Sequence, residues 1–394
     1  WGIRWQAYHQ ISVRTPLDWG VIWLVLMLLV TIWATALPEK TLPQIYRLLT
    51  GIGLYYTIVN WAIFDPFPPP GWVRADHPPN GNHSEKKIRL LYFGAILAGF
   101  GLALFAAISV EWSVDKFPFI PPSVYDRFLL LVSDTVHPNV IAGSMVILLP
   151  CALGLLFFYG GEMRWFAIVL LGGAALAMGG FLALTQSRGA LIAFGAVCAA
   201  FVVLRWRWVW IAVLISGIGA GVIVQLADYK TVLDMVFSNR TLGGIEGRIE
   251  IWSRAIYMIQ DFSFTGVGLG LFGDVADLLY PFFLVAPGRV SHAHNLFLQI
   301  GVDLGIPGLV AWLSLLMLVI VTAWQVYRYG RTQNDRWIAG VGAGLLCSQI
   351  ALIVHGLTDA VTWGMVRPAP IVWGLWGITI AARQVYIKRG GKGL

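Results

Sequence analysis

Charge is what this 394-residue sequence has least of: Asp, Glu, Lys and Arg together make up 12% of it, against 58% hydrophobic residues. A water-soluble domain covers its surface with polar groups, so this scarcity, with a mean hydropathy of +0.74, excludes one. Cysteine is nearly missing too. Cys151, Cys198 and Cys347 each fall inside an apolar run, where they serve as small apolar side chains, and a disulfide framework is excluded. Alternation of apolar and polar residues is also lacking: 21–30 and 309–321 are apolar on every side, which excludes the strands of a lipid-facing barrel.

In place of these features the chain carries apolar runs of roughly 18 to 22 residues, each long enough to cross about 30 Å of hydrocarbon at about 1.5 Å per residue. Spans are expected at 19–37, 44–64, 88–110, 139–159, 165–186, 189–204, 208–226, 304–326, 337–358 and 369–387. The fold class is therefore all-α, a polytopic membrane protein with ten transmembrane helices, and 1–394 form a single integral membrane domain. The first residue is Trp1 rather than methionine, which leaves room for a helix pair upstream. Among 44 glycines, Gly172, Gly173, Gly179, Gly180, Gly340 and Gly344 suit close approach of helix backbones. The tryptophans Trp5, Trp19, Trp206, Trp208 and Trp210 fit interfacial belts, while Trp252 and Trp363 on the outer side could stack sugars.

Lys and Arg gather at cytoplasmic helix ends. With both termini inside, sixteen of the 27 fall on the inner side, and that orientation is preferred. An anionic inner leaflet accounts for most of the net charge of +7, so membrane lipids rather than nucleic acid are the expected partners. Arg188, Arg248, Arg289 and Arg367 lie outside, where this sorting gives them no purpose.

The one large extramembrane segment is 227–293, expected as a large outer loop. Ile249, Trp252, Ile256 and Ile259 recur at spacings of three and four, predicting a short amphipathic helix at the membrane surface. Arg248 would stand at its N-terminus, where unpaired N–H groups favour an anion. The triplet Gly266, Gly268 and Gly270 reads as a flexible turn, since a dinucleotide loop needs a preceding strand and wider spacing. His292 and His294 follow. Residues two apart do not face each other on a helix, and no Cys or carboxylate cluster stands nearby in sequence, so no metal site is expected.

His294-Asn295, nine residues, Gly305, two residues, Gly308 resembles the signature of bacterial O-antigen ligases and the related O-antigen polymerases. Thr185-Gln-Ser-Arg188-Gly-Ala, Gly247-Arg248 and His137-Pro-Asn139 resemble further pieces of the same superfamily, the likeness running over 130–365. It implies a multi-pass protein of the bacterial inner (plasma) membrane with a large periplasmic loop and a periplasmic active site. It also implies an enzyme without metal or other cofactor, moving a glycan from an undecaprenyl-diphosphate-linked donor to a glycan or glycolipid acceptor. His294 then matches the catalytic base, and Arg188 and Arg248 the arginines that bind the diphosphate. Asn295, Arg289, His292, His137, His355, Asp359 and Arg367 are secondary candidates near the outer face. Repeat-unit polymerisation and protein O-glycosylation share this donor chemistry, so the motifs do not separate them. A solute transporter is the reading from another class, opposed by the scarcity of ionisable residues in mid-span and of paired broken helices.

Overall fold

The computed structural model describes residues 12–63, 81–112, 120–206, 208–226, 244–286, 288–363 and 369–388. Arg367, Trp5 and the first part of the large loop lie outside the described residues. The apolar runs fold as helices, since only a helix satisfies its backbone hydrogen bonds within a single lipid-exposed segment. In chain order these are α1 (Asp18–Ala34), α2 (Pro38–Ile63), α3 (Gly81–Ser109), α4 (Pro138–Phe158), α5 (Trp165–Leu184), α6 (Arg188–Arg205) and α7 (Val209–Leu226). There follow α8 (Gly244–Asp261), α9 (Phe272–Leu279), α10 (Leu296–Thr332), α11 (Arg336–Gly356) and α12 (Pro370–Arg383). No strand occurs among the described residues, only an isolated bridge between Val110 and Val136.

Every expected span overlaps one of these helices. Six of them, α3, α4, α5, α6, α10 and α11, are both long and apolar enough to cross a membrane, while α1 and the first part of α7 are apolar but shorter. The molecule is thus an all-α polytopic membrane protein. Its centre is the pair α4 and α11, whose spanning windows are 78% and 83% buried, against 22% for α5 and for α6.

The glycines show why. A Cβ on Gly154 of α4 would strike the backbone of Gly340 and Gly344 on α11, so these two helices meet backbone to backbone. Gly172, Gly173, Gly179 and Gly180 of α5 have open space where their Cβ would stand, among the described residues. They are not the packing glycines their spacing suggested, because α5 faces outward. Cys151 and Cys347 are buried in the central pair and Cys198 is exposed on α6, all three as free thiols.

The described part of the large loop has its own small core. Ile251, Ala255 and Met258 of α8 are fully buried against Val267, Leu271, Phe272 and Ala276, and Val302 of α10 joins the same cluster. This corrects the expected stripe: Ile249 and Ile256 are exposed, and only Trp252 and Ile259 flank the buried face. The glycine triplet is no loose turn either. Gly266, Gly268 and Gly270 all have positive φ (66°, 110° and 79°), and Val267 N donates to Val302 O at 2.8 Å.

Candidate functional site

Four helices meet the turn that follows α11. The first is the start of α6. Thr185 closes α5 by donating from Oγ1 to Leu182 O at 2.6 Å, and the buried Gln186 takes a left-handed φ of 50° while its Nε2 donates to Tyr125 Oη at 2.7 Å. That locked corner puts the half-buried Arg188 at the first position of α6. A Cβ on Gly189 would collide with the Thr358 side chain, so this helix start sits against the 357–360 turn. The motif around Arg188 is therefore a corner with a close-approach glycine.

Arg248 reaches the same turn from α8. Its side chain is nearly buried and Nη1 donates to Thr358 O at 2.6 Å. Burial pulls its pKa down, and the neighbouring Asp359 charge opposes that shift. Asn295 ties the start of α10 to the turn as well. Its Oδ1 caps α10 by accepting from Phe297 N and Leu298 N at 3.0 and 3.1 Å, while Nδ2 donates to Leu357 O at 3.2 Å.

Asp359 stands at the centre. Its Oδ2 accepts from Asn139 Nδ2 at 3.1 Å and its Oδ1 from Ala360 N at 2.8 Å. The same Oδ1 lies 3.8 Å from His294 Nδ1 and 3.9 Å from His292 Nε2, within ion-pair range and beyond a hydrogen bond. Burial alone would raise this carboxyl, but His294, His292 and His355 together hold it well below the usual carboxylate range. His292 is pushed down to about 3, first by burial and then by His294, which outweigh the attraction of Asp359. Its Nδ1 accepts from His294 N at 3.2 Å, so the proton of the neutral ring belongs on Nε2, toward Asp359. His294 itself has a φ of 48°, a conformation that non-glycine residues adopt at a cost.

A second buried carboxylate holds the histidine segment in place. Asp303 on α10 accepts from Gln299 Nε2 and Trp363 Nε1, each at 2.8 Å, and from Gly270 N at 3.3 Å. Gln299 Oε1 in turn accepts from Ala293 N at 2.7 Å, between the two histidines. Two residues on, Gly305 breaks α10 with a φ of 69°, where a Cβ would run into the backbone of Ser263 and Phe264. Ile306 N, released by the break, donates to Ser263 O at 2.7 Å. The first glycine of the spaced pair thus lets the helix kink around the end of the loop core.

His294, His292, Asn295 and Asp359 are therefore brought together, with Arg248 and the α6 start beside them. His355 is buried on the last turn of α11, next to Gly143, and its carbonyl accepts from Asp359 N at 3.0 Å. His137 caps α4, its Nδ1 accepting from Asn139 N at 3.2 Å, and is close enough for its charge to bear on His292. Arg289 stands on the exposed turn before the histidines, its backbone N donating to Ala286 O, and Arg367 lies outside the described residues. Sequence reasoning missed Asn139 as a partner of Asp359, Thr358 as the acceptor for Arg248, and the whole Asp303 hub. Only Asp303 left a trace, as a lone carboxylate at the edge of an apolar run. Trp363 is spent on Asp303 and 3% exposed, so it is no sugar-stacking platform.

The histidine pair also departs from the sequence expectation. Residues 291–294 are not helical, the two imidazoles are 4.1 Å apart, and donor atoms of His292, His294 and Asp359 lie within 4.8 Å of one another. These three groups could hold a divalent metal by residue type.

No curated protein matches the chain. The family model described as O-antigen ligase matches residues 173–313, a stretch that contains Arg188, Arg248, His294 and both spaced glycines and ends before Asp359. That match agrees with the resemblance: over this stretch, about a third of the 394-residue chain, the sequence is similar to the O-antigen ligase family.

Proposed function

We propose that this protein is a membrane glycosyltransferase of the O-antigen ligase type. It transfers a glycan from an undecaprenyl diphosphate donor to a sugar hydroxyl of the acceptor, without a metal and with inversion at the anomeric carbon. The observation that carries this reading is the placing of His294 Nδ1 3.8 Å from the buried Asp359 carboxylate, beside the Arg248 guanidinium.

Asp359 favours a proton on Nδ1 of His294, which leaves the Nε2 lone pair to accept the proton of the acceptor hydroxyl. The hydroxyl oxygen bonds to the anomeric carbon as the bond from that carbon to the phosphate oxygen breaks. Negative charge then collects on the departing diphosphate. Arg188 and Arg248 bind that charge through paired hydrogen bonds, the part a metal ion plays in other phosphate chemistry.

The reading also has a direction across the membrane. In α6, α10 and α11 the candidate residues stand at one end and Arg205, Arg331 and Arg336 at the other, where they share a pocket. The positive-inside rule assigns the basic end to the cytoplasm. The site then faces the periplasm in the bacterial inner membrane, with both described ends of the chain cytoplasmic.

The test is transfer by purified protein offered lipid-linked donor with lipid A-core, lipid-linked repeat or peptide as acceptor. His294→Ala and Arg188→Ala abolish transfer with expression intact, and Arg188→Lys recovers little, because an ammonium lacks the planar fork. Chelators leave the rate unchanged. Product with the lipid-linked repeat alone assigns polymerisation in place of ligation. Loss of transfer on chelation, restored by one divalent metal, assigns His292, His294 and Asp359 to that metal instead.

A further inference from the structure

A cavity opens beside the residues that lead into the histidine segment. Its volume is about 440 Å³, within the range of small-ligand clefts, and it lies between the start of α2, the 270–277 stretch and residues 288–291. Lys40, Gln44, Asp274, Asp277 and Ser291 supply its polar groups. Ser291 stands three residues before His294, so their Cα atoms are at most about 11 Å apart. The cavity and the base thus share one short piece of backbone.

We propose that this cavity is the subsite for an uncharged or amino-substituted saccharide, which it holds with a hydroxyl directed at His294; the proposal rests on the transferase reading above. The polar groups decide the chemical class. Lys40 Nζ lies 2.6 Å from Asp274 Oδ1, and Asp277 Oδ2 accepts from Gly288 N at 2.8 Å. A carboxylate offers roughly four lone-pair positions, so each aspartate keeps acceptor capacity after these contacts. The Lys40 ammonium, the Gln44 amide and the Ser291 hydroxyl can donate. Such interleaving of donors and acceptors suits hydroxyl groups, which do both. Two carboxylates against one ammonium make the lining negative, which opposes a diphosphate and leaves that group to the arginines.

The walls are built to keep their shape. Gly270 is fixed by the hydrogen bond that its backbone N donates to Asp303 Oδ1, and a Cβ on Gly273 would strike Val290 O, so α9 rests directly on the segment leading to the histidines. A sugar seated here therefore lies against the same hub that positions Ala293, between His292 and His294.

The experiment measures saccharide binding without requiring turnover. Full-length protein in nanodiscs is mixed with oligosaccharides of two to four sugars, released by mild acid from envelope glycans of the organism that encodes it, and followed by saturation-transfer NMR. Wild type gives saccharide signals. Ser291→Trp, which fills the cavity, and Asp277→Asn, which keeps an acceptor for Gly288 N but removes the charge, each weaken binding about tenfold. Farnesyl diphosphate, a soluble stand-in for the carrier, binds all three proteins alike. A matching unfolding midpoint shows that the variants fold.

Loss of saccharide signal on cavity filling, with no transfer by wild type under any acceptor, keeps the subsite and removes the transferase reading. Transfer by Ser291→Trp with an unchanged acceptor KM removes the subsite and leaves the transferase standing. Absence of saccharide signal in wild type, or equal weakening of farnesyl diphosphate, also overturns the subsite.

Discussion

Two buried carboxylates, Asp303 and Asp359, flank the histidine segment, and they are surrounded by different chemistry. Asp303 is met by neutral donors only: the Gly270 amide, the Gln299 side chain and the Trp363 indole. Asp359 takes two neutral donors as well, Asn139 and Ala360 N, but it also faces two imidazoles, while Arg248 binds the carbonyl of the preceding residue. Neutral donors fix a geometry and exchange no protons. Imidazoles and guanidinium groups can respond to a proton or to a new negative charge, and that is what a reacting centre needs. On the proposed function, Asp303 holds the segment and Asp359 takes part in the chemistry.

The sharpest way to break this contrast is Asp359→Asn. An amide keeps the shape and can still accept from Asn139, but it no longer orients or stabilises a protonated His294. Transfer is expected to fall by about 10²–10⁴, the range ascribed to positioned acid–base groups, with a small change in unfolding midpoint. The alkaline and acid limbs of the pH–rate profile should move as well. A loss under about threefold would put Asp359 with Asp303 as scaffold.

Asp303→Ala is expected to act the other way round. It strands three buried donors at about 1–3 kcal/mol each, so the unfolding midpoint drops sharply, by the equivalent of about 3 kcal/mol or more. The residual folded enzyme is slower because Ala293 and the histidines are less well held, yet its pH–rate profile keeps its shape. A displaced profile would mean that Asp303 shares in the proton chemistry. Measuring both midpoint and profile on the two aspartate variants separates the roles even where both lose activity.

How much of this was legible beforehand follows from how local each feature is. Span positions rest on runs of adjacent residues, and every expected span overlaps a helix. His294, Asn295 and Gly305 were legible as a spaced motif, and the structure supplies physical reasons: a strained loop residue, a helix cap and a positive-φ break. The partner of His294 was not, because Asp359 stands 65 positions away in the chain, and Asn139 a further 220 from Asp359. Periodicity also leaves the choice of face open. On α8 both Ile249/Ile256 and Ile251/Met258 repeat at seven residues, and only the presence of Phe272 and Val302 decides which set is buried. The α5 glycines mislead for the same reason, since spacing says nothing about whether a neighbour is there.

The smallest expected effect concerns the neutral histidine that completes the Asp359 cluster. His292 is held down to about 3 in the folded protein, chiefly by burial, while in the unfolded chain it titrates near the ordinary value of about 6.5. Between those values the unfolded state binds the extra proton and the folded state does not, so stability rises with pH across this window. The contribution is fully present above about pH 6.5 and is lost as the pH falls toward 3. Asp359, depressed below the ordinary carboxylate range, adds a loss of the same sign, which begins near the ordinary carboxylate value and therefore lies at the acid end of that window and below it. His292→Gln removes the first contribution and leaves the second. Unfolding midpoints taken from pH 7 to 4 should therefore decline less steeply in the variant than in wild type. A variant curve parallel to wild type would mean that His292 takes up its proton inside the folded cluster, which would make it a second titrating partner of Asp359 rather than a neutral support for His294.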